Sequence, residues 1–145
     1  MKTNGGFLVT KIKQLGDRIF ERILAEKNID AFNGAQGRIL YVLWQEDGVP
    51  IKIISEKSGL AITSLTTMLE RMEKNGLISR KTDGADKRKT LLFLTDKAKE
   101  LKEAYDSVSN EMGNIYYRDF TDKEILQFEE YLNRIRVNLE EWSDK

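Results

Sequence analysis

The stretch from Ala61 to Thr95 reads AITSLTTMLERMEKNGLISRKTDGADKRKTLLFLT, and its pattern changes period half-way. In the first part Leu65, Met68, Leu69 and Met72 fall at i, i+3, i+4 and i+7, the spacing that gathers side chains on one face of a helix. Thr63, Thr67, Glu70, Arg71 and Lys74 then point roughly the other way. Gly76 stands where a helix C-cap belongs. Beyond it, Leu77 to Thr82 (LISRKT) and Lys89 to Leu94 (KTLLFL) read as strands, with Asp83-Gly84 favouring a turn between them. The spacing predicts a helix over about 61–75 and then a β-hairpin with a basic tip, a wing beside the helix.

Working outward, Ile51 to Ser58 (IKIISEKS) is long enough for two turns of helix closed by Gly59, so two short helices joined by a Gly-containing turn form a helix-turn-helix candidate. Val49-Pro50-Ile51 leads in as an extended piece, and Pro50 is the single proline of the chain. Ala35 to Glu46 holds Ile39, Leu40, Val42, Leu43 and Trp44, a helix buried on most sides. Asn28 to Gly34 is turn-like. Before it, Leu8, Ile12, Leu15, Ile19 and Ile23 stripe a first helix from about Phe7 to Lys27.

Downstream, Thr95-Asp96 looks like an N-cap. Ala98, Leu101, Tyr105, Val108, Met112 and Ile115 step by threes and fours, as do Ile125, Phe128, Leu132, Ile135, Leu139 and Trp142 after a break at Phe120-Thr121-Asp122. Such alternation is a coiled-coil-like seam, and little else in 145 residues remains to cover it, so a second copy of the chain is the expected partner. The expected fold is mainly α with a small β-hairpin wing: a single domain over 1–145, with helical dimerisation regions at about 7–34 and 96–145 and a winged helix-turn-helix over about 35–95.

Composition narrows the function. The chain has no Cys and no His, which removes thiolate nucleophiles, Cys or His metal cages and imidazole catalysis. No cofactor or metal is expected. No apolar run approaches the roughly 20 residues of a membrane span, and the opening MKTNGGFLVTKIKQLGDRIF lacks the unbroken apolar core of a signal peptide. A soluble, cytoplasmic protein is the expectation. The formal charge is zero, but residues 71–90 carry 7 Lys/Arg against 3 Asp/Glu, while residues 91–145 carry 8 against 13. Positive charge focused on one short segment is the footprint of a polyanion site.

A reader of DNA needs short polar side chains that can approach base edges, and cations that hold position on phosphates. Thr63, Ser64, Thr66 and Thr67 supply the first; Arg71, Lys74, Arg80, Lys81, Lys87, Arg88 and Lys89 supply the second. Hydroxyls serve bases and phosphates alike, so the base sequence stays open. An arginine near the wing tip suits a narrow minor groove. Against this stand an enzyme, for which no Gly-rich phosphate loop, nucleophile elbow or metal-ligand spacing is present, and a winged-helix module used only for protein contact.

The run TSLTTMLERMEKNGLISRKTDGADKRKTLLFLT resembles the signature of the MarR family of winged-helix regulators: a Leu-rich recognition helix, Lys74-Asn75-Gly76-Leu77-Ile78 leading into the first wing strand, Arg80, the Asp86-Lys87-Arg88 wing motif, and Leu94-Thr95. The resemblance implies a homodimer, formed by the first and last helices, that binds pseudo-palindromic promoter DNA and usually represses. It implies that Arg88 reaches the minor groove and that Asp86 orients the wing through ionic contacts. It implies too that a small aromatic or phenolic effector releases DNA; Phe32, Tyr41, Trp44, Met112 and Tyr116 are the candidates to line its cleft, although ordinary packing is the favoured account of each. Two departures stand out. Ala61 occupies the start of the recognition helix, where relatives often have a capping residue, so the cap is weakened or passes to Thr63; Lys97-Ala98 replaces a common Gly.

Overall fold

A computed structural model describes all 145 residues. They divide into two compact units, Met1–Asn110 and Glu111–Lys145. The first opens with α1 (Gly5–Glu26) and α2 (Gly34–Gln45), followed by β1 (Val49–Pro50), α3 (Ile51–Ser58), α4 (Ile62–Lys74), β2 (Ile78–Thr82), β3 (Thr90–Leu94) and the short α5 (Asp96–Lys99). Next, α6 (Lys102–Tyr116) starts in the first unit and ends in the second, and α7 (Asp122–Ser143) completes the chain. Mainly helical with a small hairpin is the architecture the periodicity predicts.

The core of the first unit is apolar throughout. Ile39, Leu40 and Leu43 of α2, Ile54 of α3, Leu65, Leu69 and Met72 of α4, Leu77, Ile78 and Leu92 are almost wholly removed from solvent, and no polar side chain is buried with them. Each helix end shows why it falls there. Asn33 caps α2 with a full capping box, its side chain accepting from Gln36 N–H while Gln36 accepts from Asn33 N–H. Glu21 of α1 also accepts from Gly34 N–H, so α1 is keyed to the open end of α2. Gly59 ends α3 and Gly76 follows α4, both in the left-handed region at φ +75°, a conformation nearly free for glycine alone.

The sheet is antiparallel in the order β1-β3-β2, with Ile78 opposite Leu94 and Thr82 opposite Thr90 in the hairpin, and Val49 opposite Leu92 in the short third strand. Pro50 sits on an edge strand, where its missing N–H removes no ladder bond from the centre. Asp47 accepts from Leu94 N–H at 2.8 Å, and Gly48 N–H donates to Leu92 at 3.0 Å, fastening the strand to the end of α2. Gly48 has φ +70°, and a Cβ there would lie 2.6 Å from the Phe93 ring, so any other residue would strain the backbone and displace the ring.

In the second unit Asp119 turns the chain at φ +68° and Thr121 caps α7 in a box with Glu124. Tyr117 donates to Glu129 at 2.6 Å and its ring meets Phe120 and Phe128 edge-on. No residue of α7 is buried: Leu132, Ile135, Leu139 and Trp142 of its apolar stripe all stand exposed. No helix is long and apolar enough to cross a membrane.

Candidate nucleic-acid interface

The outward face of α4 and the tip of the hairpin both belong to the first unit. Helix α4 is presented by a turn with its own hydrogen bonds: Gly59 N–H donates to Ser55, Ser55 Oγ donates to Leu60 C=O at 2.7 Å, and Leu60 N–H donates to Ser58 Oγ at 3.2 Å. With Leu65, Leu69 and Met72 turned inward, Thr63, Ser64, Thr66, Thr67, Glu70, Arg71 and Lys74 are all exposed. Ala61 at the N-cap makes no side-chain bond, and Thr63 does not replace it. The first amides of α4 therefore keep free N–H groups at the positive end of the helix dipole, where an anion is favoured. Thr66 spends its hydroxyl proton on Ile62 C=O at 3.1 Å, so it offers a methyl and lone pairs outward.

At the other end, three contacts fix where α4 stops. Thr95 Oγ1 donates to Gly76 C=O at 2.6 Å and accepts from Ala98 N–H, and Lys97 Nζ donates to Asn75 C=O at 3.0 Å. The Lys97-Ala98 departure thus has a structural role: a cation at the negative end of α4 and a small side chain fully buried beside it.

The hairpin tip is not a tight Asp-Gly turn. Asp83 N–H closes the loop on Lys89 C=O, and Gly84 has an ordinary negative φ. Inside the loop are two side-chain-to-backbone turns: Asp83 accepts from Ala85 N–H at 2.9 Å and Asp86 from Arg88 N–H at 3.0 Å. Asp86 also takes Arg88 Nε at 3.1 Å and Nη2 at 3.4 Å, and these bonds hold its carboxyl below the usual carboxylate range. The Arg88 side chain remains 90% exposed, so the carboxylate aims a guanidinium that still faces water.

The other cations divide into two groups. Arg71, Lys74, Lys87 and Lys89 are exposed and engage no carboxylate by ion pairing. Arg80 instead pairs with Glu73 of α4 at 3.4 Å, and Lys81 lies over the Phe93 ring at 5.1 Å. Sequence reasoning places both among the DNA cations; the structure shows both tied to the base of the wing. Spacing along the chain gives no sign of the Glu73 partner, seven residues from Arg80 and on another element.

Of the candidate effector residues, Phe32 is buried, Tyr41 is exposed, and Trp44 is half-buried with its Nε1 donating to Ala98 C=O at 3.2 Å. These three rings and Phe20 all meet Tyr105, at centroid distances of 5.3 to 6.1 Å. Burial, and secondarily the neighbouring Tyr41, pushes the Tyr105 phenol up from its ordinary value. Gly37 gives Tyr105 room, since a Cβ would stand 3.0 Å from its ring. Tyr105 is the hub that sequence reasoning passes over, although its place on the apolar stripe of α6 marks it. In the second unit Met112 is half-buried and Tyr116 is exposed against Tyr117 at 5.6 Å. No group of acidic side chains is arranged to hold a metal ion.

Residues 32–90 match the MarR family. The chain is 36% identical over 77 residues to the HTH-type transcriptional regulator TtmR of Methylorubrum extorquens, covering 53% of this chain and 40% of that protein. It is 41% identical over 64 residues to the organic hydroperoxide resistance transcriptional regulator of Bacillus subtilis, 44% of each. These matches span less than half the length of the curated relatives. The fold carries the likeness further: the transcriptional regulator SlyA superimposes with a TM-score of 0.84 at 22% identity over 97% of this chain and 98% of that one. A mutant MarR from E. coli complexed with operator DNA gives 0.80 at 22% identity over 90% and 91%. The chain accordingly shares the fold of these structural neighbours, a winged helix-turn-helix flanked by long helices.

Proposed function

We propose that this chain is a MarR-family, sequence-specific regulator of transcription that binds a pseudo-palindromic promoter site in double-stranded DNA as a cytoplasmic homodimer and represses from it. The observation that carries the reading is the pairing, on one unit, of an exposed hydroxyl-bearing helix α4 with a wing whose Asp86 aims an exposed Arg88. The names of its relatives, transcriptional regulators, and a structural neighbour complexed with operator DNA support it. In this reading α1 and α7 join two copies so that two α4 helices enter successive major grooves about 34 Å apart, one helical turn of the duplex. The wings reach the flanking minor grooves. A small aromatic or phenolic ligand that favours a dimer of different spacing lowers DNA affinity by linkage between the two sites.

Fluorescence anisotropy on a fragment from upstream of the protein's own gene tests this. Affinity should fall steeply between about 50 and 200 mM salt, because bound cations release counterions. Arg88→Ala should weaken binding roughly ten-fold or more while leaving the dimer folded, in the range of one lost base-groove contact. Salt-independent binding, or an unaffected Arg88→Ala variant, would count against the reading and favour a module for protein contact.

A further inference from the structure

Glu70 is an acid on the most exposed line of a helix otherwise equipped to meet a polyanion. Thr63, Thr67, Glu70 and Lys74 fall at i, i+4, i+7 and i+11, directly opposite the buried Leu65, Leu69 and Met72. Between Glu70 and Lys89 there are four carboxylates, and three are engaged by residues of the wing. Glu73 pairs with Arg80, Asp83 accepts from Ala85 N–H, and Asp86 holds Arg88. The fourth is left over: Glu70 is exposed, accepts no hydrogen bond, and neither Arg71 nor Lys74 comes within ion-pair distance of it.

An unpaired carboxylate facing DNA repels phosphates, so it weakens indiscriminate binding wherever it finds no donor. An ionised carboxylate only accepts hydrogen bonds. In the major groove the donors are the N4 amino group of cytosine and the N6 amino group of adenine. Adenine N6 lies beside the acceptor N7, which opposes a second carboxylate oxygen, whereas cytosine N4 is flanked by a C–H. The hydroxyls of Thr63 and Thr67 accept and donate alike, and so select little. We propose that Glu70 is a specificity-determining residue that accepts a hydrogen bond from a cytosine N4 amino group in each half-site and penalises duplexes that place another base there. The assignment rests on the DNA-binding reading above. It combines an attractive contact with a repulsive one, and discrimination usually needs both.

The test is selection of duplexes from a randomised pool by the purified full chain, with Glu70→Gln, Glu70→Ala and, as a charge control elsewhere, Glu100→Gln. Wild type should enrich a symmetric site with cytosine at one position per half-site, and replacing that base should cost roughly five-fold or more in affinity. Glu70→Ala should lose preference at that position alone, to within about two-fold, and bind unrelated duplex several-fold more tightly. Glu70→Gln should exchange cytosine for adenine, because a side-chain amide pairs with adenine N6 and N7. A helix-stabilising role alone could not move the preferred base in this way. Should both variants enrich the wild-type site unchanged, or Glu100→Gln relax the same position, the assignment is overturned. A wild-type chain that enriches no site at all overturns the DNA-binding reading and takes the assignment with it.

Discussion

Helices α4 and α7 are both amphipathic, yet they end in opposite conditions. The apolar residues Leu65, Leu69 and Met72 of α4 are wholly covered by the same chain, whereas α7 has a regular apolar stripe and not one buried residue. The periodicity of the two is equally clear in the sequence. What differs is what lies opposite: α4 packs on α3 and β2, and Leu139 and Trp142 of α7 remain 66% and 73% exposed. A helix that presents side chains to a ligand must be held from behind by its own domain. One whose stripe is left uncovered calls for another surface, in our proposal that of a second copy.

Truncation should separate the two helices most sharply. Leu69→Ala leaves a cavity in a close-packed core and should cost about 2–5 kcal/mol in denaturant unfolding. The same change at Leu139, measured at a concentration where chains are separate, should stay within about 0.5 kcal/mol. Equal losses would mean that α7 is covered after all. Placing a charge on the stripe comes next. On the proposed dimer, Leu139→Glu should leave only monomer in sedimentation at micromolar concentration and abolish the proposed DNA affinity, while the far-ultraviolet spectrum stays that of a folded chain.

Smaller effects sharpen the contrast at the helix ends. Lys97→Ala removes the ammonium from Asn75 C=O and should cost about 0.3–1 kcal/mol, the range of a cation at a helix C-terminus; thermal unfolding would register it. The second unit has its own reporter in Tyr117. Burial first, then the hydrogen bond to Glu129, pushes this phenol up to about 12. A raised phenol favours the neutral form in the folded chain, so its stabilising contribution is complete below an ordinary tyrosine value near 10 and is lost as pH climbs through about 12. In an absorbance titration of the five tyrosines, Tyr117→Phe should delete a late-ionising component.

Most of the framework is legible in the sequence, because helix periods, Gly76 and the Thr95 cap are local signals. Most elements begin and end within a residue or two of the spacing-based expectations, but the stripe read from Ala98 to Ile115 is divided, α5 ending at Lys99 and α6 starting at Lys102. What escaped lies between distant residues. The Asp47 bond to Leu94, the Glu21 bond to Gly34 and the Lys97 bond to Asn75 join positions 47, 13 and 22 residues apart. The tip of the hairpin escaped for a different reason: Asp83-Gly84 has the composition of a tight turn, but Asp86 offers a second local turn and the loop uses both. Cations were recognisable as a group, while the division between those tied down, Arg80 and Lys81, and those left free required the positions of Glu73 and Phe93.

The fastening of β3 just past the end of α2 gives the hairpin a second anchor besides α4. Asp47 and Gly48 bind the strand at Leu94 and Leu92, two residues apart, and the Phe93 ring closes over the glycine between them. Two rivets and a wedge thus tie the root of the hairpin to the turn that follows α2. The strand that leads back from Arg88 is therefore anchored at its far end by a different element from the one that reads as the recognition helix.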